Sequence, residues 1–358
     1  MELKGNKGEW SELYVFLKLL ADGRLHNGDG QLNKYDDRFY PILKIFRSDA
    51  ADRLAYVVNA AKRMILVEGG ERSVIEVNQD DMRRKAEAVL DAINRGKGSF
   101  DIPEIHPFLQ QIGCNTVKAK STDKADIRIV VHNLSTGSKP ELGYSIKSKL
   151  GSSSTLINAN KNGTNFIYHV VNIDNTQMDV FNSLEGTFES KFAYLDDVGA
   201  KVAYAGVASS VMHNNLMLLD LGLEKILADA LLRYYSSRKS TIEEITADLT
   251  ASDPLQLCSH SNQPMYAFKV KQFLLAFALG MTSSKPWYGT FHANGGYIVV
   301  KEDGDIVCYH FFDRNDLEDY LFYNTRFETP STSRHEFGKI YEQEGHFFVK
   351  LNLQVRFK

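Results

Sequence analysis

The chain has 358 residues, 43% of them hydrophobic and 24% charged, with a formal net charge of −3. That length allows one large domain or two small ones with a sizeable core, and the charge excludes a protein coated in basic residues, although not one that gathers Lys and Arg in a single cleft. Cys114, Cys258 and Cys308 are far apart and odd in number, which argues against a disulfide framework and against a structural zinc site and suits a reducing cytoplasm.

Residues 1–5 carry no apolar signal core, and the longest apolar stretch, residues 273–281, is too short to span a bilayer, so the chain is read as cytoplasmic, with no membrane partner. The first helix is marked by Leu13, Phe16, Leu17 and Leu20 on one face and is stopped by Asp22-Gly23. Residues 35–79 alternate as strands do, and Met64-Ile65-Leu66-Val67 and Val74-Ile75-Glu76-Val77 flank the hairpin signal Glu68-Gly69-Gly70-Glu71. Helices are expected over 80–95 and, briefly, over 103–112. A strand follows over 164–172, one long helix over 214–236, and further helices over 242–249 and 266–279. The last part returns to strands at 297–300, 306–310 and 347–351, around a polar segment at 324–335. No repeat or low-complexity tract interrupts this order. It predicts an α+β (or α/β) protein with a central mixed sheet flanked by helices.

Two short runs carry the chemistry. In a strand, successive side chains face opposite ways, so Ile127, Ile129 and Val131 share one face and Asp126 lies on the other. In Gly143-Tyr144-Ser145-Ile146-Lys147, Tyr144 and Ile146 face one way, Ser145 and Lys147 the other. Residues 134–140 are turn chemistry, so the two runs make a hairpin with an Asp and a Lys off its apolar face. A carboxylate able to hold Mg²⁺ beside an ammonium able to steady an attacking hydroxide is a minimal phosphodiester-cleaving centre. A salt bridge across the hairpin is the plain alternative. One carboxylate binds Mg²⁺ poorly, and the neutral Ser145 is a weak ligand. A second acid must come from elsewhere, and the first helix offers Glu9 and Glu12. Both can be first-turn acids favoured by the helix dipole. Glu12, one turn before Phe16, can point inward at the edge of the buried face and is the preferred metal residue.

Two further stretches suit nucleic acid. Ser148, Lys149, Ser152, Ser153, Ser154, Thr155, Asn158 and Asn160 are short donors and acceptors fit for phosphates and base edges, or for a solvated loop. Arg326, Ser331, Thr332, Ser333, Arg334 and His335 combine arginines suited to guanine with hydroxyls suited to phosphate; a helix cap at 331–333 is the competitor. His213-Asn214-Asn215 is read as capping. No GxxxxGK, GxGxxG, GxSxG or HExxH motif is present.

The residues also match a known family. Residues 5–13, Gly143-Tyr144-Ser145-Ile146-Lys147-Ser148 with Leu150-Gly151-Ser152, residues 294–301, and residues 331–335 through Leu351-Asn352-Leu353-Gln354 resemble the HpaII-type type II restriction endonucleases, over most of the chain. The resemblance implies a PD-(D/E)xK restriction-endonuclease-like core with additional helical and C-terminal β elements for DNA recognition. It implies Mg²⁺-dependent cleavage of double-stranded DNA at 5′-CCGG, between the two cytosines, and a companion cytosine methyltransferase acting on the same site. The superfamily's Asp falls on Asp126, its Lys on Lys147 and its (D/E) position on Ser145, which leaves the second metal ligand to Glu12. The expected organisation is a catalytic core at 1–205, a helical segment at 206–285 and a strand-rich recognition part at 286–358. A two-fold symmetric site makes a homodimer the natural geometry. A structure-specific nuclease and a non-catalytic DNA-binding protein are the rival readings.

Overall fold

The computed structural model describes residues 3–49, 52–69, 73–117, 125–258, 262–291 and 294–358. The chain forms two compact units, residues 1–154 with 292–320 and residues 155–291 with 321–358.

The first unit is built on a nine-stranded mixed sheet in the order Arg24–Gly28, Ile306–His310, Gly296–Val300, Glu141–Ser148, Ile127–Val131, Lys34–Asp49, Asp52–Asn59, Met64–Glu68, Ile75–Asn78. A further pairing of Arg24–Gly28 with Lys34–Asp49 closes the first six strands into a ring. Gly296–Val300 runs parallel to Glu141–Ser148, with Tyr297 beside Ser145 and Val299 beside Lys147. The expected hairpin forms with Ile127 opposite Tyr144. Its turn is held by Asn133, whose Oδ1 accepts from the Ser135 and Thr136 N–H groups at 3.0 and 3.2 Å, an Asx turn. The strands expected around Glu68-Gly69-Gly70-Glu71 pair antiparallel; Gly70 and Glu71 lie outside the described residues.

The first helix, Lys7–Asp22, starts at a capping box. The Asn6 side chain accepts from the Glu9 N–H at 3.1 Å, and Glu9 Oε2 accepts from the Asn6 N–H at 2.9 Å. Two of the helix's orphan donors are thereby satisfied. Gly23 ends it in the left-handed region at φ 67°. Its apolar face is fully buried through Trp10, Leu13, Phe16, Leu17 and Leu20. The Phe16 ring meets Tyr56 edge-on with centroids 4.7 Å apart, and the Trp10 Nε1–H donates to the Phe100 carbonyl at 3.0 Å. At about 1.5–3 kcal/mol for each large side chain withdrawn from water, this face is the main anchor of the helix on the sheet. The helix Gln79–Arg95 packs beside it through Met82, Ala86, Val89 and Ile93.

Gly296 opens the parallel strand at φ 102°, and a Cβ there would sit 2.1 Å from the Tyr309 carbonyl oxygen. Only glycine lets this strand come close enough to Ile306–His310 to pair with it.

The second unit has an antiparallel sheet in the order Lys201–Val207, Asn165–Val171, His346–Asn352, Ile340–Gln343, and a three-stranded one in the order Thr155–Ile157, Val355–Phe357, Thr325–Phe327. The helix Leu223–Ser236 lies against the first of these. Tyr168 Oη donates to the Ala228 carbonyl at 2.8 Å and Tyr235 Oη to the Asn352 carbonyl at 2.9 Å.

Several expectations change. The single helix over 214–236 is two helices, Ser210–Leu219 and Leu223–Ser236. The leucine period runs through the break, but Asp220 turns the chain, accepting from the Gly222 N–H at 2.8 Å and pairing with Lys269. His213-Asn214-Asn215 does not cap: Ser209 does, accepting from the Met212 N–H. Asn215 instead holds the distant loop after the helix Met265–Leu279, through the Thr282 and Lys285 carbonyls and the Trp287 N–H. The helices Asn175–Ser183, Phe188–Asp197 and Arg314–Tyr323 and the strand Lys201–Val207 were not anticipated. The chain passes between its two compact units after residues 154, 291 and 320. The strands Gly296–Val300 and Ile306–His310 return to the first sheet, so that unit is discontinuous in sequence.

Candidate active site

Asp126 sits immediately before the strand Ile127–Val131, and its N–H donates to the Tyr144 carbonyl at 2.9 Å. Its carboxylate folds back onto the neighbouring strand. Oδ2 accepts from the Ile146 N–H at 2.7 Å and from the Ser145 hydroxyl at 3.1 Å. Ser145, where a second acid would stand, thus donates a hydrogen bond to the first one. A carboxylate there would repel Asp126; a hydroxyl orients it.

Lys147 is in none of the ion pairs found among the described residues, so the plain salt bridge across the hairpin does not form. Its Nζ lies over the Tyr297 ring, 5.1 Å from the centroid, a cation–π arrangement set up by the parallel pairing. Burial pushes the Lys147 amine below its ordinary pKa, and the fields of Asp126 and Glu12 both oppose that shift. The two carboxylates therefore converge electrostatically on one amine, although they come from different elements of the unit. Burial, and then Asp126, push the Tyr297 hydroxyl up.

The first helix decides between its two acids. Glu9 is engaged in the capping box. Glu12, half-buried, lines a cleft of about 490 Å³ together with Lys7, Ser148, Ser152 and Ser154. The helix is tied to the lysine strand at Ser11 and Ser148, one residue along from Glu12 and Lys147 respectively. The buried Ser11 hydroxyl donates to the Lys7 carbonyl at 2.7 Å and shares a hydrogen bond with the Ser148 hydroxyl, their oxygens 2.8 Å apart. Glu12→Gln is expected to lower cleavage about a hundredfold or more with the thermal midpoint unchanged. Glu9→Ala is expected to leave cleavage within about threefold and to remove about 0.5–1 kcal/mol of stability with the capping box. Single-turnover rates and melting curves of the two variants check this; the opposite pattern would exchange the roles.

Two acids with hard oxygens, one of them with an oxygen free of hydrogen bonds among the described residues, fit Mg²⁺. That ion takes one or two carboxylates and completes its shell with water and substrate phosphate. Among the described residues no three or more of His, Cys, Asp and Glu gather as a closed metal cage.

The other expected residues divide. Ser148, Ser152 and Ser154 share the Glu12 cleft. Lys149 and Ser153 are partly exposed beside it in sequence, without lining it. Thr155 pairs with Arg356 in the three-stranded sheet, and Arg326 pairs with Arg356 from the other side. Glu328 answers both arginines, at 2.8 Å from Arg356 and 3.6 Å from Arg326. Asn158 is exposed, whereas Asn160 builds its own turn with Asn162 and Thr164. Ser331 caps the short helix Thr332–His335, and Thr332, Ser333 and Arg334 are exposed on it. Tyr297 and the Ser11–Ser148 tether were missed. Tyr297 stood in the motif at 294–301, but its place under Lys147 depends on a strand pairing that spans the middle of the chain.

The sequence profile of the HpaII restriction endonucleases matches residues 6–357. The type II restriction enzyme HpaII of Haemophilus parainfluenzae is 43% identical over 356 residues, 99% of this chain and 98% of that one. The chain belongs to the HpaII restriction endonuclease family. It is a type II site-specific endonuclease, and its substrate is DNA. No solved structure matches the chain. Among the described residues no helix is long and apolar enough to cross a membrane.

Proposed function

We propose that this member of the HpaII family cuts both strands of duplex DNA at 5′-CCGG, between the two cytosines, using Mg²⁺ and a PD-(D/E)xK-type core. The observation that carries the reading is the convergence of Asp126 and Glu12 on the half-buried Lys147 amine. Asp126 and Glu12 would hold the ion beside the scissile phosphate. When bound, Mg²⁺ neutralises charge on the phosphate and makes water more acidic. The Lys147 ammonium orients the attacking water and balances the charge that grows on the phosphoryl oxygens, while Ser145 and the Ile146 N–H hold Asp126 in register. Recognition falls to the 148–160 stretch and to the strand-rich C-terminal part, with Arg326 and Arg334 suited to guanine and the hydroxyls of 331–333 to phosphate. A homodimer matches a palindromic site, and a cytosine methyltransferase protecting that site in the same cytoplasm completes the pair.

Plasmid DNA incubated with the protein and Mg²⁺ is expected to give discrete fragments whose mapped ends fall within 5′-CCGG, and no cutting in EDTA. Random nicking, or cutting confined to branched DNA, would replace the reading with a structure-specific nuclease. Sequence-specific binding with no cutting under any divalent ion would leave a DNA-binding protein.

A further inference from the structure

The second unit contains a pocket of about 640 Å³ whose lysines none of the chemistry above uses. Lys191 from the helix Phe188–Asp197, Lys339 at the entry to the strand Ile340–Gln343, and Lys350 from His346–Asn352 all line it, beside the hydroxyls of Thr332 and Ser333. The two strands bring Lys339 and Lys350 alongside each other: Ile340 is opposite Val349, and the Gly338 N–H donates to the Lys350 carbonyl at 2.9 Å. Like charges in such positions oppose each other. Burial, and then Lys339, hold the Lys191 amine below its ordinary pKa.

The carboxylates at the pocket offset this gathering only in part: the Glu336 carboxylate is held below its ordinary range first by Lys161 and only then by Lys350. Glu185 and Glu336 also line the pocket, but Glu336 is engaged by Lys161 at 2.8 Å, and Glu185 makes no ion pair among those of the described residues. Two of the lysines are steered by ring faces instead. Lys191 Nζ lies 5.3 Å from the Phe181 centroid and Lys350 Nζ 5.4 Å from that of Tyr341. A ring face fixes an ammonium's position and leaves its N–H groups free to donate.

We infer that this pocket grips a backbone phosphate of the DNA duplex, with Lys339 and Lys350 as the principal contacts and the Thr332 and Ser333 hydroxyls as neutral donors. Three ammoniums from three elements, with two hydroxyls between them, match a phosphodiester oxyanion, and the space admits the flanking sugars. The contact reads no base. The inference rests on DNA being the substrate, and not on which acids perform the cleavage.

The test measures binding to a cognate and a scrambled duplex in EDTA, over a range of KCl concentrations. Each lost phosphate contact makes the slope of log K against log salt shallower by about 0.9. The Lys339→Gln/Lys350→Gln variant is expected to shift the slope by about 1–2 and to weaken binding about threefold to tenfold per contact, equally on both duplexes. Lys339→Arg/Lys350→Arg is expected to keep the slope. Should the Gln pair fail to fold, Lys339→Gln alone, at an exposed position, carries the test. An unchanged slope, or a loss confined to the cognate duplex, overturns the inference. So does inorganic phosphate bound in the pocket with no effect on the slope, which would mark a small-anion site. A wild-type protein that binds duplex through these lysines but cuts nothing would sink the nuclease reading and leave this one standing.

Discussion

Lys147→Met is expected to lower the single-turnover cleavage rate about 1,000-fold or more while cognate DNA binding stays within about threefold. Methionine keeps the length of the stem over the Tyr297 ring and removes the charge. The same substitution is expected to leave the melting temperature unchanged or raise it. Burial holds the native amine below its unfolded pKa, so at neutral pH the proton is bound less tightly in the folded state than in the unfolded one. That charge opposes folding, and the opposition fades only as the pH rises through the lowered native value toward the unfolded one. A residue retained for packing would show the reverse, with melting lowered by several degrees and cleavage intact. Rate and melting curve, measured on one preparation, separate the two.

Asp126→Asn is expected to lose cleavage by about 1,000-fold or more, because the amide presents no anionic oxygen to a divalent ion. It can still accept from the Ile146 N–H through its carbonyl oxygen, so the strand end should hold and the fold should survive. Ser145→Ala makes a graded comparison. It removes one hydrogen bond to Asp126 Oδ2, a net loss of about 1 kcal/mol in orientation, and is expected to slow cleavage about fivefold. If Ser145→Ala were as damaging as Asp126→Asn, the hydroxyl would be acting on the substrate directly instead of through the acid. Raising the Mg²⁺ concentration should rescue Ser145→Ala in part and Asp126→Asn hardly at all.

The difference between these two residues follows from where each is specified. The hairpin is local: alternation put Asp126 and Lys147 off its apolar face, and the Asx turn at Asn133 sets its register. Glu12 against Glu9 was half legible. Asn6-x-x-Glu9 is a capping-box spacing, and reading it would have retired Glu9 at once. Asp174-x-x-Gln177 is the same signal and would have announced the helix Asn175–Ser183. The helix break at Asp220 was hidden because a leucine period survives a short turn, so hydrophobic spacing cannot distinguish one long helix from two that bury the same side.

By itself the sequence determined the first helix, the strand-like run over 35–79, the hairpin that carries Asp126 and Lys147, and the family, since each depends on neighbours a few residues apart or on extended runs of identity. The tertiary structure alone decided that Gly296–Val300 lies parallel to Glu141–Ser148, that Tyr297 therefore lies under Lys147, and that Ser11 and Ser148 tie the helix of Glu12 to the strand of Lys147. Parallel pairing joins segments separated by about half the chain, and it is selected by burial on both faces of the sheet. No local period records which distant strand will be the partner.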